Sequence, residues 1–151
     1  MNGYIARIFT SFIDVPDKIS AAVYFSGCSL RCKGCQNKEF WEKESGVLMS
    51  DQEVIEKIKD NGLAEWIAFL GGEPTDQMDF LIHLCKRVKK EIKKPIGIYT
   101  GREFEVLPKS LLDNIDFIVC GPYREDLYIE GAWPASSNQR VFKKKGTKWA
   151  H

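Results

Sequence analysis

Ala21-Ala22-Val23-Tyr24-Phe25-Ser26-Gly27-Cys28-Ser29-Leu30-Arg31-Cys32-Lys33-Gly34-Cys35-Gln36-Asn37 is a short apolar run that breaks into a cluster of three cysteines. Ala21 to Phe25 has the length and the β-branched and aromatic content of a strand. The cysteines then sit on the loop at that strand's C-terminal end, spaced C-x3-C-x2-C. Thiolates are soft ligands that suit iron–sulfur clusters and zinc. Three of them can hold three corners of a four-iron cluster, and an open fourth position points to chemistry rather than structure. Structural zinc wants four ligands. The candidates for a fourth, His83, Cys85, Cys120 and His151, lie well downstream, so a zinc site completed at long range is the alternative. Arg31 and Lys33 mark the loop as polar, and Gly27 and Gly34 let the backbone wrap closely.

Outward from this segment, strands and helices alternate. Tyr4 to Phe9 reads as a strand upstream. Ser50 caps a helix, with Glu53 closing a capping box; Val54, Ile55 and Ile58 form its apolar stripe and Asn61-Gly62 ends it. Glu65 to Leu70 is a buried strand, and it too runs into a polar loop, Gly71-Gly72-Glu73-Pro74. Phe80, Leu81, Leu84, Cys85 and Val88 form a second helix face, closed by the basic stretch Lys89 to Lys94. Pro95 to Tyr99 and Asp116 to Cys120 are further strands, with two short helical pieces between them, Glu103 to Leu107 and Lys109 to Leu112. Beyond Gly121-Pro122 the pattern becomes irregular, with one short strand near Gln139 to Phe142. Repeated strand, loop and helix imply an α/β fold with a mostly parallel, curved sheet. The chain is too short for a full eight-fold barrel, so an open partial (β/α) barrel fits. In such sheets sites form at the C-terminal strand ends, where both suspicious loops lie.

The 151 residues read as one domain, 1–151, with 44% hydrophobic and 28% charged residues and a net charge of +1. No strong field directs the chain to nucleic acid or to a membrane. No apolar stretch approaches the ~20 residues that span a bilayer, and the N-terminus lacks the layout of a signal peptide. Five cysteines, three of them crowded together, argue for metal chemistry in a reducing compartment, and hence a cytoplasmic protein. The basic run Lys143-Lys144-Lys145, with Lys148, reads as a solvated tail rather than a docking strip for an acidic partner.

Cys28, Cys32 and Cys35 resemble the defining motif of the radical S-adenosylmethionine (SAM) superfamily. Gly71-Gly72-Glu73-Pro74 resembles the motif of that superfamily whose backbone and Glu contact the SAM ammonium group. The resemblance implies a radical SAM type fold, a [4Fe-4S] cluster on the three cysteines, and SAM chelated to the open iron and reductively cleaved. Gly34 departs from the aromatic residue often found before the third cysteine.

Asp116 to Tyr123, Tyr99-Thr100-Gly101 and Ser136-Ser137-Asn138-Gln139-Arg140-Val141 resemble segments of the anaerobic ribonucleotide reductase activating proteins. Cys120 stands where that family commonly has Asp, and Ala135 where it has Gly. The resemblance implies a glycyl radical enzyme activase, with a large reductase subunit as protein substrate and a flavodoxin or ferredoxin as electron donor. It places Asn138, Gln139 and Arg140 at the docking region or at SAM. Tyr24, Ser26 and Thr100, at strand ends, are further candidates for the cofactor site. Phe40 and Trp41 are candidates to cover the cluster; Trp66 and Trp133 are core or partner anchors. The alternatives are an activase of the pyruvate formate-lyase type, a small-molecule radical SAM enzyme such as a deazapurine-forming ring contractase, and a zinc-stabilised binding module.

Overall fold

Side-chain alternation along four parallel strands explains how the sheet is sandwiched. The computed structural model describes residues 1–35, 38–130 and 133–151; of Phe40 only the backbone is described. Gln36 and Asn37 of the cysteine segment therefore lie outside the described residues, as does the side chain of Phe40. The strands are β1 (Asn2–Ser11), β2 (Ser20–Phe25), β3 (Val47–Ser50), β4 (Trp66–Gly71), β5 (Ile96–Tyr99), β6 (Phe117–Cys120), β7 (Arg140–Lys145) and β8 (Lys148–Ala150). They form one sheet in the order β3-β1-β2-β4-β5-β6-β7-β8. The core β2-β4-β5-β6 is parallel, and the flanking pairs are antiparallel. Helices α1 (Asp51–Asp60), α2 (Met78–Arg87) and α3 (Lys109–Leu112) make the crossovers.

On one face Val23, Phe25, Ile67, Phe69, Ile96, Ile98 and Ile118 pack with Val54, Ile55, Leu81 and Leu84 of the helices. On the other, Ala22, Tyr24, Ala68, Leu70, Phe117 and Val119 pack against Val15 from the β1–β2 connection. Each fully buried Ile or Phe contributes about 1.5–3 kcal/mol to stability, so the sheet is held from both sides. The capping box at Ser50 forms as the sequence predicts, with Ser50 Oγ accepting the Glu53 N–H at 3.1 Å. Asp51 ties α1 to α2. Its carboxylate accepts from His83 at 2.6 Å and Arg87 at 3.2 Å, and these bonds, His83 first, hold it well below the usual carboxylate range.

Two parts of the sheet differ from the sequence reading. β3 is four residues long and partly exposed on both faces, so Val47 to Ser50 carries no alternation that separates it from the helix cap following it. Lys143-Lys144-Lys145 is not a tail. It is the end of β7, paired with β6 on one side and hairpinned to β8 on the other, so these lysines lie within the sheet.

Candidate functional site

The register of β2 on β4 builds the site. Phe25 lies opposite Gly71, so the two strands end level and their loops start side by side. Gly72 N–H then donates to Phe25 O at 2.9 Å and Glu73 N–H to Gly27 O at 2.8 Å, zipping one loop to the other. Gly71 adopts φ +117, and a Cβ there would lie 2.5 Å from Phe25 O, so no larger residue fits. At Gly34, φ is +72 and a Cβ would meet the Glu125 carboxylate at 2.6 Å.

Cys28, Cys32 and Cys35 line one cavity of about 180 Å³ together with Gly71, Gly72, Glu73 and Thr100. All three thiols are partly buried and unbridged. Burial pushes the Cys28 thiol up from its ordinary value, while backbone hydrogen bonds from Arg31 and Leu30 pull it back. The Cys28 N–H donates to Trp41 O at 2.9 Å, so the Trp41 backbone braces the loop, and Trp41 is not among the residues that line the cavity. The Arg31 guanidinium stands 5.4 Å over the Trp41 ring and donates to Glu42 at 2.8 Å.

Among the described residues, no three His, Cys, Asp or Glu side chains converge closely enough for a single metal ion. Thiols that face one cavity without meeting at a point suit a multi-iron cluster, which fills the space between them, better than one zinc with sulfurs about 2.3 Å away. The long-range fourth ligands are engaged elsewhere. His83 pairs with Asp51, Cys85 and Cys120 are buried in the core, and His151 packs on Phe142. Burial pushes the Cys120 thiol up to about 11, and its Sγ donates to Arg140 O at 3.5 Å. The donor set therefore fits the [4Fe-4S] group.

The other residues singled out from sequence divide. Thr100 lines the cavity. Glu73 does too, but its carboxylate is 2% exposed and turned inward. It accepts from Thr75 N–H at 3.1 Å, Thr75 Oγ1 at 2.5 Å, Thr100 Oγ1 at 2.6 Å and Gly101 N–H at 2.8 Å. These four donors hold the buried carboxylate within the chain and tie the loops after β4 and β5 together. Pro74 opens the 3-10 turn Pro74–Gln77. Ser26 is turned away, its hydroxyl donating to Lys43 O at 2.9 Å. Tyr24 packs on the opposite face of the sheet from the helices, with its hydroxyl on Asp14 at 2.9 Å. Alternation sends its side chain along the sheet face, not over the strand end.

Asn138 donates to Pro122 O at 2.8 Å; its Oδ1 is buried without a hydrogen-bond partner among the described residues. Gln139 reaches the cavity, whereas Arg140 turns to Glu103 at 2.8 Å and Glu105 at 2.6 Å. Ala135 also lines the cavity and has no positive φ, so the missing glycine is harmless. Trp66 packs edge-on to Phe117 at 5.2 Å, and Trp133, 38% exposed, donates from Nε1 to Tyr99 Oη at 3.0 Å. Leu30, Tyr99 and Tyr123 complete the walls and were not singled out. Tyr99 ends β5 and Tyr123 lies three residues beyond β6, and both belong to the segments that resemble the activating proteins, the signal that could have found them.

The family profile described as a 4Fe-4S single cluster domain matches residues 18–142. The anaerobic ribonucleoside-triphosphate reductase-activating protein of Haemophilus influenzae is 31% identical over 134 residues, covering 82% of this chain and 86% of the relative. The chain belongs to this family of activating proteins. Its counterpart in Escherichia coli K12 is 30% identical, covering 79% and 84%, and that of enterobacteria phage T4 is 27% identical, covering 85% and 86%. QueE from Escherichia coli shares the fold, with a TM-score of 0.62 at 18% identity. The match covers 91% of this chain and 65% of QueE. No helix among the described residues is long and apolar enough to cross a membrane.

Proposed function

We propose that this activating protein uses a [4Fe-4S] cluster on Cys28, Cys32 and Cys35 to cleave SAM and generate a glycyl radical on an anaerobic ribonucleotide reductase. The observation that carries this reading is the meeting of the three thiols with the Gly71 to Glu73 loop in one cavity. When bound, the cluster supplies the electron that splits SAM into methionine and a 5′-deoxyadenosyl radical, which takes a hydrogen atom from a backbone glycine of the reductase.

The chain's own part is to hold and shield. Cys28, Cys32 and Cys35 would hold the cluster, and with no fourth protein thiol beside them among the described residues they would leave room for SAM to bind it. Gly71 and Gly72 allow the methionine end of SAM to approach the main chain, and Glu73 fixes that loop from behind. Leu30, Tyr99 and Tyr123 form walls that keep water from a reactive radical. Gln139 stands at the rim, where the docking segment of the reductase would enter. In this reading residues 1–151 act as one domain in the cytoplasm, and a flavodoxin or ferredoxin supplies the electron.

The test is anaerobic reconstitution with iron and sulfide, then dithionite and SAM, with 5′-deoxyadenosine measured by chromatography. Product from the wild type and none from Cys32→Ala is the expected result. A colourless zinc protein that makes no 5′-deoxyadenosine would overturn the reading. Adding the reductase and recording the glycyl radical by electron paramagnetic resonance then tests the partner.

A further inference from the structure

One residue touches all four strand-end loops around the cavity. Arg102, on the loop after β5, donates from Nε to Thr75 Oγ1 at 2.8 Å and from Nη2 to Asp76 Oδ1 at 2.6 Å, with Ser29 Oγ at 3.4 Å. Its backbone N–H donates to Thr100 Oγ1 at 3.1 Å, and its carbonyl accepts from Gly121 N–H at 2.9 Å. Those contacts reach the loops after β2, β4, β5 and β6. Asp76 completes the link to the cysteine loop: Oδ2 accepts the Ser29 N–H at 2.7 Å and Oδ1 accepts the Ser29 hydroxyl at 2.9 Å.

The cysteine loop needs such an anchor. Ser29 directly follows Cys28, residues 26–35 carry no helix or strand, and Arg31 sits at φ +48, a region costly for a side-chain-bearing residue. Asp76 holds Ser29 by both its N–H and its hydroxyl, and Arg102 holds Asp76. The planar guanidinium bonds Thr75 and Asp76 in two directions at once, which a lysine ammonium on a flexible stem does not reproduce. Arg102 is not among the cavity-lining side chains. Its action on the site is through other residues.

We infer that Arg102, paired with Asp76, is a positioning residue that sets the three-cysteine loop against the Gly71 to Glu73 loop. In the activase proposed above, on which this inference rests, that pairing fixes the cluster relative to bound SAM.

The test compares wild type with Arg102→Ala, Arg102→Lys, Asp76→Asn and the Arg102→Ala/Asp76→Asn double variant. In the iron-free chain, Cys28 alkylation is followed by mass spectrometry. In the reconstituted chain, SAM half-saturation is read from the resonance spectrum of the reduced cluster, beside KM and kcat for 5′-deoxyadenosine. The expected result is a rise in SAM half-saturation and KM of about tenfold in Arg102→Ala, the scale of one charge-assisted hydrogen bond. In that variant kcat stays within about threefold, Cys28 alkylation quickens, and Arg102→Lys recovers only part of the loss. The double variant should be no worse than the more affected single one, because the two residues act as a unit. Unchanged alkylation and SAM half-saturation, or effects that add in the double variant, overturn the inference. Should Arg102→Ala not fold, Arg102→Lys and Asp76→Asn carry the same readouts. A wild type that makes no 5′-deoxyadenosine sinks the activase instead, and the alkylation result still judges the anchor.

Discussion

The Thr100 hydroxyl donates to the Glu73 carboxylate at 2.6 Å, joining the loops after β5 and β4 inside the protein. Glu73 is 2% exposed and Thr100 5%, so the bond is shielded from water and each partner is costly to lose. Glu73→Gln places an amide donor among hydroxyl and N–H donors, and its destabilisation should be about 1–3 kcal/mol. Thr100→Val should cost about 1 kcal/mol. Urea unfolding of the iron-free chain measures both, and a Glu73→Gln chain as stable as wild type would remove the clamp from the account.

Gly71→Ala is expected to be worse than an ordinary surface change. Its Cβ would collide with Phe25 O at 2.5 Å, at a φ of +117 that only glycine adopts readily. The strand ends must separate, at about 2–4 kcal/mol, and the loops of the site separate with them. A lowered melting temperature together with lost 5′-deoxyadenosine production is the outcome to look for.

The sequence made the chemistry legible before the geometry. C-x3-C-x2-C and Gly71 to Pro74 sit at the ends of runs whose apolar content marks them as neighbouring strands, and β2 and β4 do pair in parallel. The aim of Glu73, Ser26 and Tyr24 was not legible. A residue at a strand end can face the cavity, the back of the loop or the sheet face, and side-chain hydrogen bonding to Thr75, Lys43 and Asp14 decides which. Arg102 was invisible for a related reason: its partners Ser29, Thr75 and Asp76 come from two other loops. β3 and β8 were missed because they are the exposed edge strands and lack the buried apolar run that marks the equally short β5 and β6.

The five cysteines should fall into two classes. In the iron-free folded chain, Cys28, Cys32 and Cys35 should react with iodoacetamide, while buried Cys85 and Cys120 react only after denaturation. The same burial predicts alkaline sensitivity. Burial pushes the Cys120 thiol from its ordinary value up to about 11, so the folded chain holds this proton more tightly than the unfolded one. Its contribution to stability is complete below about pH 9 and is lost as pH rises through about 11. Melting temperatures from pH 8 to 11 should fall, and Cys120→Ala should flatten the decline.

Tyr123 stands on the cavity wall with the three cysteines. Tyr123→Phe keeps the ring and should leave 5′-deoxyadenosine production within about twofold, whereas Tyr123→Ala opens the wall to water. The reconstituted Ala variant should bleach in air several times faster, as followed by its visible absorbance. Equal bleaching rates would mean the ring does not shield the site.

Among the described residues, neither buried core includes one from the three-cysteine loop; both are built mainly from strands and helices, with Val15, Ala64, Leu107 and Ile115 from connections. The packing that holds the sheet and the thiols that face the cavity are thus drawn from separate residues, so a change to a cysteine of that loop removes a ligand without removing a core side chain.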